Sequence, residues 1–230
     1  MNTFKEVLFV AAENGALKGG KVGGVADVVR DLPAALPEHG WRATVVTPAY
    51  ANLHKSEGRK RLARIKLAFA GHQESATLWQ VEGSNKNVRN LVVEHALFAT
   101  GAPGEIYSSD EPGRPYAKDA NKFAFFCAAV ARWLADSKVQ PDAVHLHDWH
   151  AAFYLLLREY SRRHTALKDI PTVFTIHNIA YQGTRPVRGD ESSLEHWFPG
   201  PVSYTHLRAH ETAMNISYAV FCLKRGGGGG

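Results

Sequence analysis

Cysteine is nearly absent from these 230 residues: Cys127 and Cys222 are the only two. That excludes a disulfide framework. Thiols without a secretory leader are expected in a reducing cytoplasm. Cys127 lies in the apolar stretch 123–131, a core position. No apolar run reaches the roughly 20 residues that cross a bilayer. No internal repeat is present. A strong charge excess is also missing, with 27 Lys and Arg against 22 Asp and Glu. The basic residues are scattered apart from a short cluster at 55–61 that suits a solvated loop, so a nucleic-acid partner is not expected.

What the chain does have is polar clusters at the ends of apolar strands. The run Ile170-Pro171-Thr172-Val173-Phe174-Thr175-Ile176 is short, β-branched and without polar alternation, as expected of a strand buried on both faces. His177-Asn178-Ile179-Ala180-Tyr181-Gln182-Gly183 follows it at once. Ligands of open parallel sheets bind beyond the carboxyl ends of strands, so this is a candidate site, against the plainer alternative of a turn with one satisfied histidine. Ala143-Val144-His145-Leu146-His147-Asp148-Trp149-His150 repeats the pattern. The strand at 5–12 opens into Gly15-Ala16-Leu17-Lys18-Gly19-Gly20-Lys21-Val22-Gly23-Gly24 and then a helix. Strand, glycine loop and helix put backbone N–H groups and a positive helix end against a phosphate, and Lys21 adds a point charge.

The glycine loop lacks the Gly-Lys-Ser/Thr ending of a P-loop. The next strand, Arg42-Ala43-Thr44-Val45-Val46-Thr47-Pro48, ends without the carboxylate that would hold an NAD ribose. Taken together, Lys21-Val22-Gly23-Gly24-Val25-Ala26-Asp27-Val28-Val29, Thr47-Pro48-Ala49-Tyr50, His147-Asp148-Trp149-His150-Ala151 and Thr175 to Gly183 strongly resemble bacterial glycogen synthase and plant starch synthase. Val25 stands where that family usually has leucine, a change that keeps the packing.

The resemblance implies the amino-terminal, acceptor-side domain of a GT-B glycosyltransferase over residues 1–201, an α/β fold with a Rossmann-like, doubly wound, mostly parallel sheet. It implies transfer of glucose from ADP-glucose to the non-reducing end of an α-1,4-glucan with retention, without metal or other cofactor. His177 would be catalytic, with its imidazole on a glucose hydroxyl and its backbone carbonyl facing positive charge at the anomeric carbon. Lys21, Gly23 and Gly24 would face the diphosphate. Asn178, Tyr181 and Gln182 would shape the pocket, Asp148 and His150 would orient the glucan, and Tyr116 is a weaker match on a long loop. Asp27 is either a substrate contact or a first-turn carboxylate favoured by the helix dipole. Trp149 is expected in the core rather than under the sugar.

Residues 202–230 read differently. Val202-Ser203-Tyr204-Thr205-His206-Leu207-Arg208-Ala209-His210-Glu211-Thr212 and Ile216-Ser217-Tyr218-Ala219-Val220-Phe221-Cys222-Leu223-Lys224 look like translated ends of a DNA-sequencing adapter, closed by five glycines. Without this tail, 24 basic residues face 21 acidic ones, a net +3.

The remaining expectations are a helix at 25–39, strands at 42–48 and 88–94, an antiparallel pair at 64–69 and 76–81, and a surface loop at 101–118. A helix at 119–137, a strand at 142–146, a helix at 149–163 and a strand at 171–176 complete an alternating pattern that favours a doubly wound sheet, with the antiparallel strands inserted beside it. Two rival functions stand. His145, His147, Asp148 and His150 have metal-ligand chemistry and suggest a metallohydrolase, since His145 and His147 share one strand face. A non-catalytic glucan- or nucleotide-binding module is the other.

Overall fold

The computed structural model describes residues 4–199 except 100, 110, 111 and 139. The segment 202–230, with its adapter reading, lies outside the described residues. One sheet of seven strands organises the rest: β1 (Lys5–Val10), β2 (Trp41–Pro48), β3 (Lys60–Phe69), β4 (His72–Val81), β5 (Arg89–Glu94), β6 (Ala143–His147) and β7 (Thr172–Thr175). Their order is β3-β4-β5-β2-β1-β6-β7. The strands β5, β2, β1, β6 and β7 run parallel, and β3 and β4 add an antiparallel edge.

Strands alternate their side chains between two faces, and the core divides accordingly. Val7 and Phe9 of β1, with Ala43 and Val45 of β2, pack with Val29 of α1 (Gly24–Ala35). Leu8, Val10 and Val46 face the other way, with α2 (Ala117–Asp136) and α3 (Asp148–Tyr160). α2 packs against β3 and against α3, which itself lies on β6 and β7, and Phe123, Phe125, Phe126 and Val130 of α2 are fully buried.

The chain builds outward from β1 through β2 to β5, then returns to place β6 and β7 on the other side of β1. That reversal between β1 and β6 is the position where ligands enter doubly wound sheets, at the carboxyl ends of the strands. Register puts Val10 beside Leu146, and His147 beside Thr175. The loops after β1, β6 and β7 therefore leave the same edge side by side.

Several expectations change. Among the described residues β7 is an edge strand, paired only with β6, and Val173 is 52% exposed rather than buried. The helix expected over 25–39 stops at Ala35, and a 3-10 turn, Leu36–His39, follows. Pro37 lacks the N–H that would continue the helix, and Gly40 closes the turn at φ 76°. α3 likewise ends at Tyr160, before a 3-10 segment, Arg162–Leu167. The loop expected at the surface is partly internal: Ile106 is 1% exposed, and its carbonyl accepts from Lys122 Nζ at 2.6 Å. Among the described residues, no helix is long and apolar enough to cross a membrane.

Candidate active site

The glycine loop after β1 is already occupied. Glu13, 2% exposed, accepts the backbone N–H of Val22 at 2.7 Å and of Gly23 at 2.6 Å on one carboxylate oxygen. Its other oxygen accepts the Tyr107 hydroxyl at 2.6 Å. The Gly23 amide, expected to face a diphosphate, therefore holds a carboxylate of the same chain. Gly23 is the N-cap of α1 and Gly24 its first residue. Lys21 Nζ reaches both oxygens of Asp27 at 2.7 Å, and Arg30 adds a contact to Asp27 at 2.9 Å. The Lys21 ammonium beside it holds the Asp27 carboxyl below its ordinary range. Lys21 and Asp27 form an exposed pair on the loop side of α1.

At the junction of β6 and α3, Asp148 adopts φ 56°. That backbone state costs a non-glycine residue about 1–3 kcal/mol and persists only where the surroundings hold it. Here the return is an anchor. The Asp148 carboxylate accepts the backbone N–H of His177 at 2.7 Å and that of Asn178 at 3.4 Å. Burial pushes the Asp148 carboxyl up, against those hydrogen bonds. His147 Nδ1 lies 2.8 Å from His177 Nε2, and His145 Nε2 lies 2.8 Å from Thr175 Oγ1. Burial, then the neighbouring His145 and His177, lowers His147 to about 3. Two strand ends are thus tied into one knot around His177.

His150 points elsewhere. It is buried against Phe123, Tyr107 and Trp149, with ring centroids at 4.6, 5.3 and 4.3 Å. Burial, with Lys122 nearby, lowers it to about 3. The four residues of the metallohydrolase reading therefore do not converge: His147 and Asp148 meet at His177 with His145 beside His147, while His150 packs apart against Phe123 and Trp149. Among the described residues no group of three or more His, Cys, Asp or Glu is arranged to hold a metal ion.

The loop after β7 braces itself. Asn178 Oδ1 accepts the Ala180 N–H at 2.9 Å, and Gln182 Nε2 donates to the Ile179 carbonyl at 3.1 Å. Tyr181 is 59% exposed. Gly183, at φ 58°, lies flat on Trp149. Trp149 is core, as expected, edge-on to Phe123 at 5.4 Å and to Tyr116 at 5.7 Å. Tyr116 is the N-cap of α2 at φ 62°, so the loop, the helix start and Trp149 share one support.

Three groups of side chains therefore occupy one sheet edge. His177 is joined to His147 and Asp148. His150 is joined through Tyr107 and Glu13 to the glycine loop. Lys21 is joined to Asp27. Glu13 and Tyr107 were not foreseen. Glu13 carried the same signal as His177, a polar residue just past an apolar strand, whereas Tyr107 sat in a segment read as surface loop. Also unforeseen is Asp190, which accepts from Arg114 at 2.8 Å and pairs with Arg185 at 2.9 Å, pinning the segment after Gly183 to the approach to α2. A groove of about 870 Å³ opens at the opposite edge, where Glu6, Arg42 and Arg89 begin their strands. It lies away from the carboxyl ends and holds none of these residues.

A mostly parallel, doubly wound sheet with a glycine loop and a histidine loop at its reversal point is the fold of one GT-B glycosyltransferase domain. The family model for the starch synthase catalytic domain matches residues 6–224, and the chain belongs to that family. The match runs past residue 201, into the segment that reads as adapter. The chain is 36% identical over 171 residues to a glycogen synthase of Opitutus terrae, covering 72% of this chain and 34% of that protein. A glycogen synthase of Anaeromyxobacter dehalogenans is 37% identical over 183 residues, 79% of this chain and 36% of that one. One of Alkaliphilus metalliredigens is 31% identical over 204 residues, 86% and 40%. The catalytic domain of starch synthase IV from Arabidopsis thaliana, solved with ADP and acarbose, superposes with a TM-score of 0.67 at 26% identity, covering 80% of this chain and 36% of that one. The chain thus spans about a third of the length of the relatives it matches.

Proposed function

We propose that this chain is the acceptor-side part of a synthase that transfers glucose from ADP-glucose to the non-reducing end of an α-1,4-glucan with retention, in the cytoplasm and without a metal. The observation that carries the reading is the fixed position of His177. Asp148 holds its backbone and His147 holds its ring, at the sheet's reversal point. Glycosyl transfer develops positive charge at the anomeric carbon and negative charge on the leaving diphosphate. The His177 carbonyl serves the first, since a preorganised dipole there stabilises the transition state more than the ground state. Lys21 and the start of α1 at Gly24 serve the second. Lys21 must exchange Asp27 for phosphate to do so, and Asp27 then stays to hold Arg30. Asn178, Tyr181 and Gln182 line the sugar pocket. Asp148 acts on the acceptor through the loop it anchors, and buried His150 and Tyr116 shape the wall behind it.

A retaining transfer needs donor and acceptor held together in a closed cleft, and orientation alone can account for about 7–11 kcal/mol of the barrier. The 230 residues supply one wall, so they are proposed to be inactive alone, with residues 1–201 as the folded domain and 202–230 as adapter-derived sequence. The test is glucose incorporation into glycogen from ADP-glucose. The expected result is no transfer by this chain, transfer by the longer enzyme, and loss by orders of magnitude on His177→Ala in that enzyme. Transfer by the 230-residue chain, or near-normal transfer by the His177→Ala enzyme, would overturn it. Binding of ADP-glucose without turnover by the longer enzyme would instead favour the binding-module reading.

A further inference from the structure

We propose that His147 is a positioning residue that sets the tautomer of His177: its Nδ1–H donates to His177 Nε2, which leaves the His177 proton on Nδ1, free to donate to a sugar hydroxyl. The inference deepens the glucosyl-transfer reading and rests on it for its purpose, but not for its test. The two imidazoles are tilted by only 10°, with centroids 5.1 Å apart and facing nitrogens 2.8 Å apart. Rings so disposed meet edge to edge in one plane, where the donor hydrogen lies along the acceptor lone pair. One ring donates and the other accepts.

The surroundings of His147 decide which. It is 1% exposed, packed parallel to Phe9 at 5.4 Å and beside His145 at 4.3 Å. Its Nε2 is buried and has no hydrogen-bond partner among the described residues. A proton on that nitrogen would be a buried donor with nothing to accept it, and orphaned N–H groups are rarer and costlier than under-used acceptors. The burial that lowers His147 to about 3 also prevents it from carrying protons on both nitrogens. The proton therefore sits on Nδ1 and points at His177. The hydrogen bond made by one ring nitrogen of a histidine determines the state of the other. Asp148, the next residue, holds the His177 backbone, so one turn of chain sets both the carbonyl and the ring.

The test is long-range proton–nitrogen NMR on the 230-residue chain labelled with ¹⁵N-histidine, in neutral buffer, with His177 assigned from the spectrum of His177→Ala. Expected are the Nδ1–H pattern for both His147 and His177, and a nitrogen–nitrogen coupling across the hydrogen bond with the proton on His147. His147→Phe removes the donor, and His177 is then expected to move toward the Nε2–H form that an unconstrained imidazole favours in water. An Nε2–H pattern for either histidine in the unaltered chain overturns the proposal. So does an unchanged Nδ1–H pattern for His177 in folded His147→Phe. If that variant does not fold, the coupling in the unaltered chain decides alone. None of these readouts requires glucosyl transfer, so failure of the synthase reading and failure of this one are separable.

Discussion

At the residue scale, Gly183 shows how a missing side chain can place a loop. A Cβ at Gly183 would lie 1.9 Å from Trp149 Cε3, and the residue also sits at φ 58°. Gly40, at φ 76°, has open space where its Cβ would be. Gly40→Ala therefore incurs only the left-handed penalty of about 1–2 kcal/mol. Gly183→Ala adds an overpacking cost of about 1–3 kcal/mol, because Trp149 is wedged against Phe123 and cannot retreat. Urea unfolding of the two variants should show the larger loss for Gly183→Ala, with the 177–183 loop displaced. Equal losses would mean that the glycine–tryptophan contact does not support the loop. Glu13 supplies a second residue-scale prediction. Three donors converge on its buried carboxylate, and hydrogen bonds to charged groups contribute about 1.5–3 kcal/mol each before non-additivity. Glu13→Ala should lose on the order of 3 kcal/mol in the same measurement. Glu13→Gln, which keeps an acceptor oxygen, should lose less.

At the element scale, the features that follow from local chemistry were legible in the sequence. Alternating strands and helices, an antiparallel pair near residue 71, and polar residues just past β1, β6 and β7 each leave a mark within a few neighbouring residues; the pair itself is longer than expected and turns at Ala70-Gly71, earlier than the 71–73 turn expected. The exposure of β7 left none, because an apolar strand reads the same whether one edge or both are paired. The second support of the glycine loop was hidden, since the Tyr107 that holds Glu13 lies 94 residues away. Asp190 is a further case of distant pairing. It ties Arg114, ahead of α2, to Arg185, and Arg185 is itself buried and donates to the Ser192 and Pro115 carbonyls. The Arg114 guanidinium, more than any other group, holds the Asp190 carboxyl well below its ordinary range. Asp190→Asn leaves the buried Arg185 without its counter-charge and should lower stability by about 3 kcal/mol, at the low end for a broken buried pair because Asp190 is partly solvated. A loss within a few tenths of a kcal/mol in thermal or urea unfolding would show that the network is ornamental.

At the scale of the whole molecule, the fold buries three histidines as neutral rings. His147 and His150 are lowered to about 3 and His164 to about 4, in each case first by burial. In the unfolded chain histidines titrate near 6.5. Between those values the unfolded state binds protons that the folded state refuses, so stability falls as pH falls through that window. The slope is about 1.4 kcal/mol per pH unit for each histidine, or about 2 kcal/mol each between pH 6.5 and pH 5. Asp190, with its lowered carboxyl, adds a further loss at lower pH, below the unfolded carboxylate value. Asp148, with its raised carboxyl, acts in the opposite sense and offsets part of it. Since domains are stable by only about 5–15 kcal/mol, a loss of that order from three buried histidines is a large share of the total. His164 separates this effect from the site, because its partner is Ser161 Oγ at 2.9 Å, away from the sheet edge. Urea midpoints at about pH 7.5 and about pH 5 should differ strongly in the unaltered chain. In His164→Asn the difference should shrink by roughly a third of the summed histidine slope. Stability that stays level between the two pH values would mean that these histidines take up protons in the folded state, and with that the buried, neutral His147 on which the His177 geometry depends would be lost.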